Sequence, residues 1–176
     1  MTNSYFSEIR NWILPEAALA ASLVEMARDG VSGNEGVVLW LGRRKNGQAE
    51  VTYLVALRGP GVIKEPYFLQ IEPELLNDVA DLAIEHGVSL VGQIHSHGSD
   101  CSTDLSPTDH RYGIKVPYYL SIVAPDYALR QETRITDCGV HVYEPNQGYR
   151  RLSAAEIADR IRVVPSPGLP LLIAGE

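Results

Sequence analysis

His95 and His97 stand two residues apart at the end of the apolar run Val88 to Ile94. Side chains at i and i+2 of an extended strand point to the same side, so two imidazoles here can share one metal ion. Imidazole suits zinc, and a carboxylate as third ligand leaves a fourth position open to water, which a catalytic site requires. Further along lies Ser106-Pro107-Thr108-Asp109. Taken alone it reads as a helix start: serine is a good N-cap, proline fits N1, and an acidic residue at N3 completes a capping-box-like arrangement. A carboxylate in that first turn, twelve residues beyond His97, can also fold back over the strand end. Asp109 can then serve both roles, with Ser106 within a turn of the metal.

Together these residues resemble the JAMM (MPN-plus, JAB-like) zinc metalloproteases. That family carries an upstream glutamate, then His-Ser/Thr-His, then about seven residues, then Ser-x-x-Asp. The corresponding set here is Glu35, His95-Ser96-His97, eight residues from Gly98 to Leu105, and Ser106-Pro107-Thr108-Asp109. Asn34-Glu35-Gly36, followed by Val37 to Leu41 and Gly42, is similar to the family's acidic residue ahead of an apolar strand ending in glycine. The helix opened by Leu14-Pro15 resembles the family's first helix. The resemblance runs from about Leu14 to about Asp126. It departs from the family in one extra loop residue and in Gly98, where the family often has proline. Asp100 and Asp104 lie in the same loop and compete for the third ligand position, but only Asp109 pairs with Ser106 at the family's spacing.

The resemblance implies a single MPN-type (cytidine-deaminase-like) domain over residues 1–163. It implies zinc held by His95, His97 and Asp109, with Glu35 as general base and Ser106 as hydrogen-bond donor to an oxyanion. It further implies an isopeptidase that removes a ubiquitin-like protein from lysine, in the manner of a stand-alone prokaryotic member, sometimes beside E1- and E2-like partners. The alternatives are a peptidase processing the C-terminus of a ubiquitin-like or sulfur-carrier precursor, and a non-catalytic binding scaffold. Ser96, on the other side of the strand from the histidines, is expected to pack or cap locally.

The bulk properties agree with one soluble α/β domain. At 176 residues the chain can bury a sizeable core without staples. Its formal net charge of −7 argues against nucleic acid or an anionic membrane as the main partner. Arg43-Arg44-Lys45 and Arg150-Arg151 read as solvated turns and strand ends. Two cysteines, Cys101 and Cys138, make no disulfide framework, and a reducing cytoplasm is the expected compartment. No signal peptide or bilayer-spanning run is expected.

Elements follow from periodicity and punctuation. The first dozen residues show none. A helix is expected from Leu14-Pro15 to Asp29-Gly30, burying Ala20, Leu23, Val24 and Ala27. Val37 to Leu41 and Val51 to Leu57 read as strands joined by a Lys45-Asn46-Gly47 turn. Tyr67 to Ile71 is a short strand, and Glu72-Pro73 opens a helix burying Leu76, Val79, Ala80 and Ala83, closed by Gly87. Strands are expected at Val88 to Ile94, Tyr118 to Ala124, Gly139 to Tyr143 and Tyr149 to Leu152. Ala154 to Ile161 is a short helix, and residues 164–176 form an irregular tail. This order implies a mixed, mostly antiparallel sheet flanked by helices. His86, His110, His141, Trp40, Tyr118 and Tyr119 are read as structural or solvated, and Cys101 as an ordinary loop thiol.

Overall fold

The computed structural model describes residues 7–130 and 132–175. In chain order it contains β1 (Asn11–Pro15), α1 (Glu16–Gly30), β2 (Val37–Lys45), β3 (Gln48–Leu57), β4 (Val62–Glu65), β5 (Phe68–Ile71), α2 (Pro73–Glu85), β6 (Ser89–Ser96) and α3 (Pro107–Tyr112), followed by β7 (Leu120–Ala124), β8 (Gly139–Glu144), β9 (Gly148–Arg151), α4 (Ala154–Arg160), β10 (Ile161–Val164) and β11 (Leu171–Ala174). One large sheet runs β10-β1-β3-β2-β6-β7-β8-β9, with β11 also alongside β3. β4 and β5 form a separate two-stranded arm.

The chain is thus α/β with a mixed sheet and helices on both faces. The expected antiparallel majority is absent from the large sheet. Its β1–β10, β1–β3, β3–β11 and β6–β7 pairs are parallel, and β2–β3, β2–β6, β7–β8 and β8–β9 are antiparallel. Three of these four parallel pairs involve β1, β10 or β11. β1 falls partly in the first dozen residues, which show no period, and takes Leu14 and Pro15, where the helix is expected to open; α1 starts only at Glu16, and residues 1–6 lie outside the described ones. The tail is irregular through its prolines, then re-enters the sheet as β11, with Leu171 to Ala174 beside Leu54 to Leu57.

β2 shows how both faces are filled. Val38 and Trp40 enter the core on the α1 side with Ala18, Leu19 and Met26. Val37, Leu39 and Leu41 enter the core on the α2 side with Leu75, Val79 and Ala83. The expected Asn46-Gly47 turn is present, both residues having positive φ (52° and 77°).

The buried faces of the two helices differ from the expected ones. Ala18, Leu19, Ser22 and Met26 of α1 face inward, whereas Ala20 and Val24 are exposed. Ser22 is buried because its Oγ accepts from Trp40 Nε1–H at 3.0 Å, a demand that apolar periodicity does not register. In α2, Leu75 is the buried leucine, the expected Leu76 is half-buried against the same core, and Ala80 is exposed.

β6 carries a register shift that matters for the site. Trp40 pairs with Gly92 and Leu41 with Leu90, so Val91 is an extra, bulged residue. Val91 and Ile94, three apart, both enter the α1-side core. Without the bulge, alternation would have sent them to opposite faces. The bulge therefore turns Gln93, His95 and His97 toward the α2 side, where the arm lies.

Ile94 is fully buried between the histidine side and α1. Ile94→Ala is expected to cost about 2–5 kcal/mol by urea unfolding, with the denaturant slope unchanged.

Candidate metal centre

His95, His97 and Asp109 come together as the sequence implied. His95 Nε2 lies 3.2 Å from His97 Nε2, His97 Nε2 lies 3.1 Å from Asp109 Oδ2, and His95 Nε2 lies 3.4 Å from Asp109 Oδ1. A tetrahedral ion with bonds of ~2.0–2.1 Å spaces its ligand atoms about 3.3 Å apart. Two imidazole nitrogens and a carboxylate at these separations can hold a divalent metal ion.

Each ligand is aimed by a different device. His95 and His97 share one side of the β6 end. His97 Nδ1–H donates to the Ser102 carbonyl at 2.7 Å, which leaves the Nε2 lone pair toward the cluster. Asp109 sits at N3 of α3: Ser106 Oγ accepts from Asp109 N–H at 3.1 Å, and Asp109 Oδ2 accepts from Ser106 N–H at 2.7 Å. The capping box and the ligand role coexist. Ser106 Oγ is occupied as an acceptor, while its own hydroxyl hydrogen stays free to donate.

The eight-residue loop does not displace Asp109. Asp104 is exposed and engaged by Arg151, and Asp100 is exposed. The loop is instead tied internally, with Cys101 N–H donating to the Gly98 carbonyl at 3.1 Å and Ser102 Oγ donating to Asp104 at 2.8 Å.

Glu35 is buried beside this cluster, close enough for the charges of His97 and Asp109 to act on it. Burial pushes its pKa up to about 7, with His97 pulling it down and Asp109 pushing it further up. A carboxyl group poised there can both take and return a proton near neutral pH. Asp109 is held well below the usual carboxylate range: burial opposes ionisation, but the hydrogen bonds from His95 and His97 outweigh it. Burial also opposes protonation of His97, yet Asp109 and the Ser102 carbonyl together raise its pKa.

Two supporting residues lie outside the motif as read. Ser96 is fully buried, and its Oγ accepts from Gly36 N–H at 2.9 Å while its N–H donates to the Gly36 carbonyl at 3.0 Å. It thereby pins the turn that carries Glu35, a specific form of the local packing expected of it. Gln93 was missed: its side-chain amide lies 3.4 Å from His95 Nδ1 and accepts from the buried Tyr119 hydroxyl at 3.2 Å. Its position two before His95, on the same side of the strand, was the available signal.

None of the residues read as structural joins the His95–His97–Asp109 cluster. His110 is exposed, His86 stacks on Tyr53 at 4.7 Å, and Trp40 and Tyr119 are buried. His141 is buried, its Nδ1 donating to the Ser121 carbonyl at 3.3 Å, and burial lowers its pKa to about 4. Arg150 is paired with Glu144 and Glu156 rather than merely solvated. Among the described residues no helix is long and apolar enough to cross a membrane.

The chain is similar to the solution structure of protein DSY2949 from Desulfitobacterium hafniense, with a TM-score of 0.64 and 18% identity over 88% of this chain and 94% of that chain. That likeness establishes the fold alone. No protein-family model and no curated protein matches the chain.

A raised carboxyl pKa fixes the sign of a pH effect. Folded, metal-free protein binds more protons than unfolded chain between the ordinary Glu value of 4.5 and about 7, so ionising Glu35 across that window costs stability. In EDTA at pH 8, Glu35→Gln is therefore expected to melt at a higher temperature than the parent chain. The gap should close as the pH falls toward 4.5.

Proposed function

We propose that the chain is a zinc-dependent isopeptidase of the JAMM (MPN-plus) type, which removes a ubiquitin-like protein from lysine-linked conjugates. The observation that carries this reading is the His95–His97–Asp109 tripod, with donor spacings of 3.1–3.4 Å, beside a buried carboxyl at Glu35. Two imidazoles and one carboxylate are a donor set of catalytic zinc sites, where one coordination position remains for water or substrate.

Bound zinc lowers the pKa of water toward ~7 and polarises a carbonyl. Glu35 takes the proton from the attacking water and delivers it to the leaving lysine amine. Its buried position keeps that proton from exchanging freely with solvent. Ser106 accepts a backbone hydrogen bond and so has its hydroxyl hydrogen available for a developing oxyanion. His97 keeps its orientation through the Ser102 carbonyl, and Asp109 keeps its orientation through the α3 cap.

The β4–β5 arm stands beside the site, with Phe68 edge-on to Tyr112 of α3 at 6.0 Å and the Glu65 carbonyl accepting from Glu35 N–H at 3.1 Å. An extended, glycine-containing tail can lie along such a surface by backbone pairing, which suits the C-terminus of a ubiquitin-like partner. E1- and E2-like proteins that make such conjugates belong to the same proposal.

The test uses a lysine-linked conjugate and, separately, a C-terminally extended ubiquitin-like carrier, each incubated with zinc-loaded protein. Cleavage of the conjugate supports the isopeptidase. Cleavage of the extended carrier alone replaces it with precursor processing, and cleavage of neither, with no zinc retained on purification, leaves a binding scaffold. Glu35→Gln is expected to lower turnover by roughly 10²–10⁴-fold, in line with loss of an essential proton carrier, while keeping one zinc per chain. His97→Ala is expected to lose the zinc, measured by metal analysis after dialysis.

A further inference from the structure

β7 ends in a turn where Asp126, Tyr127 and Ala128 all have positive φ (55°, 52° and 59°). Three successive residues with side chains in the left-handed region are disfavoured, and such a conformation persists only where its surroundings over-determine it. The surroundings here are specific. Tyr127 N–H donates to the His97 carbonyl at 2.7 Å, and His97 N–H donates to the Ala124 carbonyl at 2.9 Å, so the turn is fastened to a metal-ligating residue on both sides. A Cβ at Gly30 would stand 2.2 Å from the Tyr127 carbonyl oxygen, and one at Gly98 would stand 2.7 Å from the Tyr127 hydroxyl. Only glycine at both positions lets Tyr127 sit where it does.

The Tyr127 hydroxyl then donates to the Pro66 carbonyl at 3.1 Å, in the turn of the β4–β5 arm. The preceding carbonyl, that of Glu65, accepts from Glu35 N–H at 3.1 Å. A continuous path therefore leads from His97 through Tyr127, Pro66 and Glu65 to Glu35.

We propose that Tyr127 is a positioning residue for Glu35: its phenol fastens the β4–β5 arm to the strand end bearing His97, and the fastened arm holds Glu35 beside the metal ligands. The catalytic part rests on the reading of Glu35 as general base, but the fastening itself is read without turnover. The phenol accounts for Gly98, because a side chain there would displace it. The left-handed turn at 126–128 places the Tyr127 N–H on the His97 carbonyl and the phenol on the arm at the same time.

The test is amide hydrogen exchange on the full chain, with and without zinc, comparing the parent with Tyr127→Phe and with Gly98→Ala. Tyr127→Phe removes one hydroxyl and keeps the ring. Loss of one hydrogen bond is expected to speed exchange at the Glu35 amide and through residues 62–71 by roughly threefold to tenfold. Rates in β2 and β6 and the zinc content should stay at parent values. Gly98→Ala is expected to give the same pattern, and the double variant should be no looser than Gly98→Ala alone. In a turnover assay kcat should fall in Tyr127→Phe. Parent-like exchange at Glu35 in Tyr127→Phe overturns the proposal, as does loosening spread evenly over β2, β6 and the arm. Should Glu35→Gln retain full turnover, the hydrolase reading fails while the exchange result still decides the fastening.

Discussion

Asp109 bears two duties at once, and the site depends on both being met by the same carboxylate. Its Oδ2 closes the N-terminus of a six-residue helix by accepting from Ser106 N–H, and the same group faces both imidazoles. A helix of that length does not form for its own sake. The capping box fixes where α3 begins, and the start of α3 fixes where the Asp109 carboxylate stands. The alternative, a ligand from the loop itself, would leave position to a segment tied mainly by Ser102, Asp104 and Arg151 near the surface.

The strand that delivers the imidazoles is positioned just as tightly, but by other means. The Val91 bulge sets which face His95 and His97 occupy, and burial of Ile94 against the α1 side makes that choice costly to reverse. Between the histidines, Ser96 faces the other way and hydrogen-bonds twice with Gly36. One strand end therefore presents ligands on one face and holds the Glu35 turn from the other. The i, i+2 alternation of a strand makes this division of labour possible.

These dependencies explain what could be read in advance. The His-x-His pair, the Ser-x-x-Asp cap and the acidic residue before an apolar strand are local patterns, each with its own short-range physics; the structure joins the first two in one cluster and buries Glu35 within reach of the charges of His97 and Asp109. The central strands are legible because two filled faces demand unbroken apolar runs. β1, β10 and β11 are not, being four or five residues long and paired in parallel with partners far along the chain. The inward face of α1 was hidden for a similar reason: Ser22 is buried to meet the indole of Trp40, and no periodicity announces a polar residue called inward by a distant one. Tyr127 is the extreme case: a turn at Asp126-Tyr127 is legible, but its left-handed form, built without glycine, leaves its mark only at Gly30 and Gly98, each far from it along the chain.

Electrostatics gives the cluster a direction. Without a cation, Asp109 stays ionised against burial because the imidazoles and the Ser106 N–H face it, and Glu35 answers its own burial by holding its proton up to about pH 7. Buried charges of this kind are poor contributors to stability, since desolvation offsets most of their attraction. A well-packed apolar corner would fold better. The chain instead gathers two imidazoles and the Asp109 carboxylate, satisfied pairwise by contacts of 3.1–3.4 Å that the geometry of a single ion would also satisfy, with the Gln93 amide behind His95 and the buried Glu35 alongside. A cation placed there would relieve the demand for imidazole protons at Asp109 and favour ionised Glu35, converting a destabilising arrangement into a basic carboxylate beside a Lewis acid. The same burial that weakens the metal-free fold would then set the basicity of Glu35 beside a bound ion.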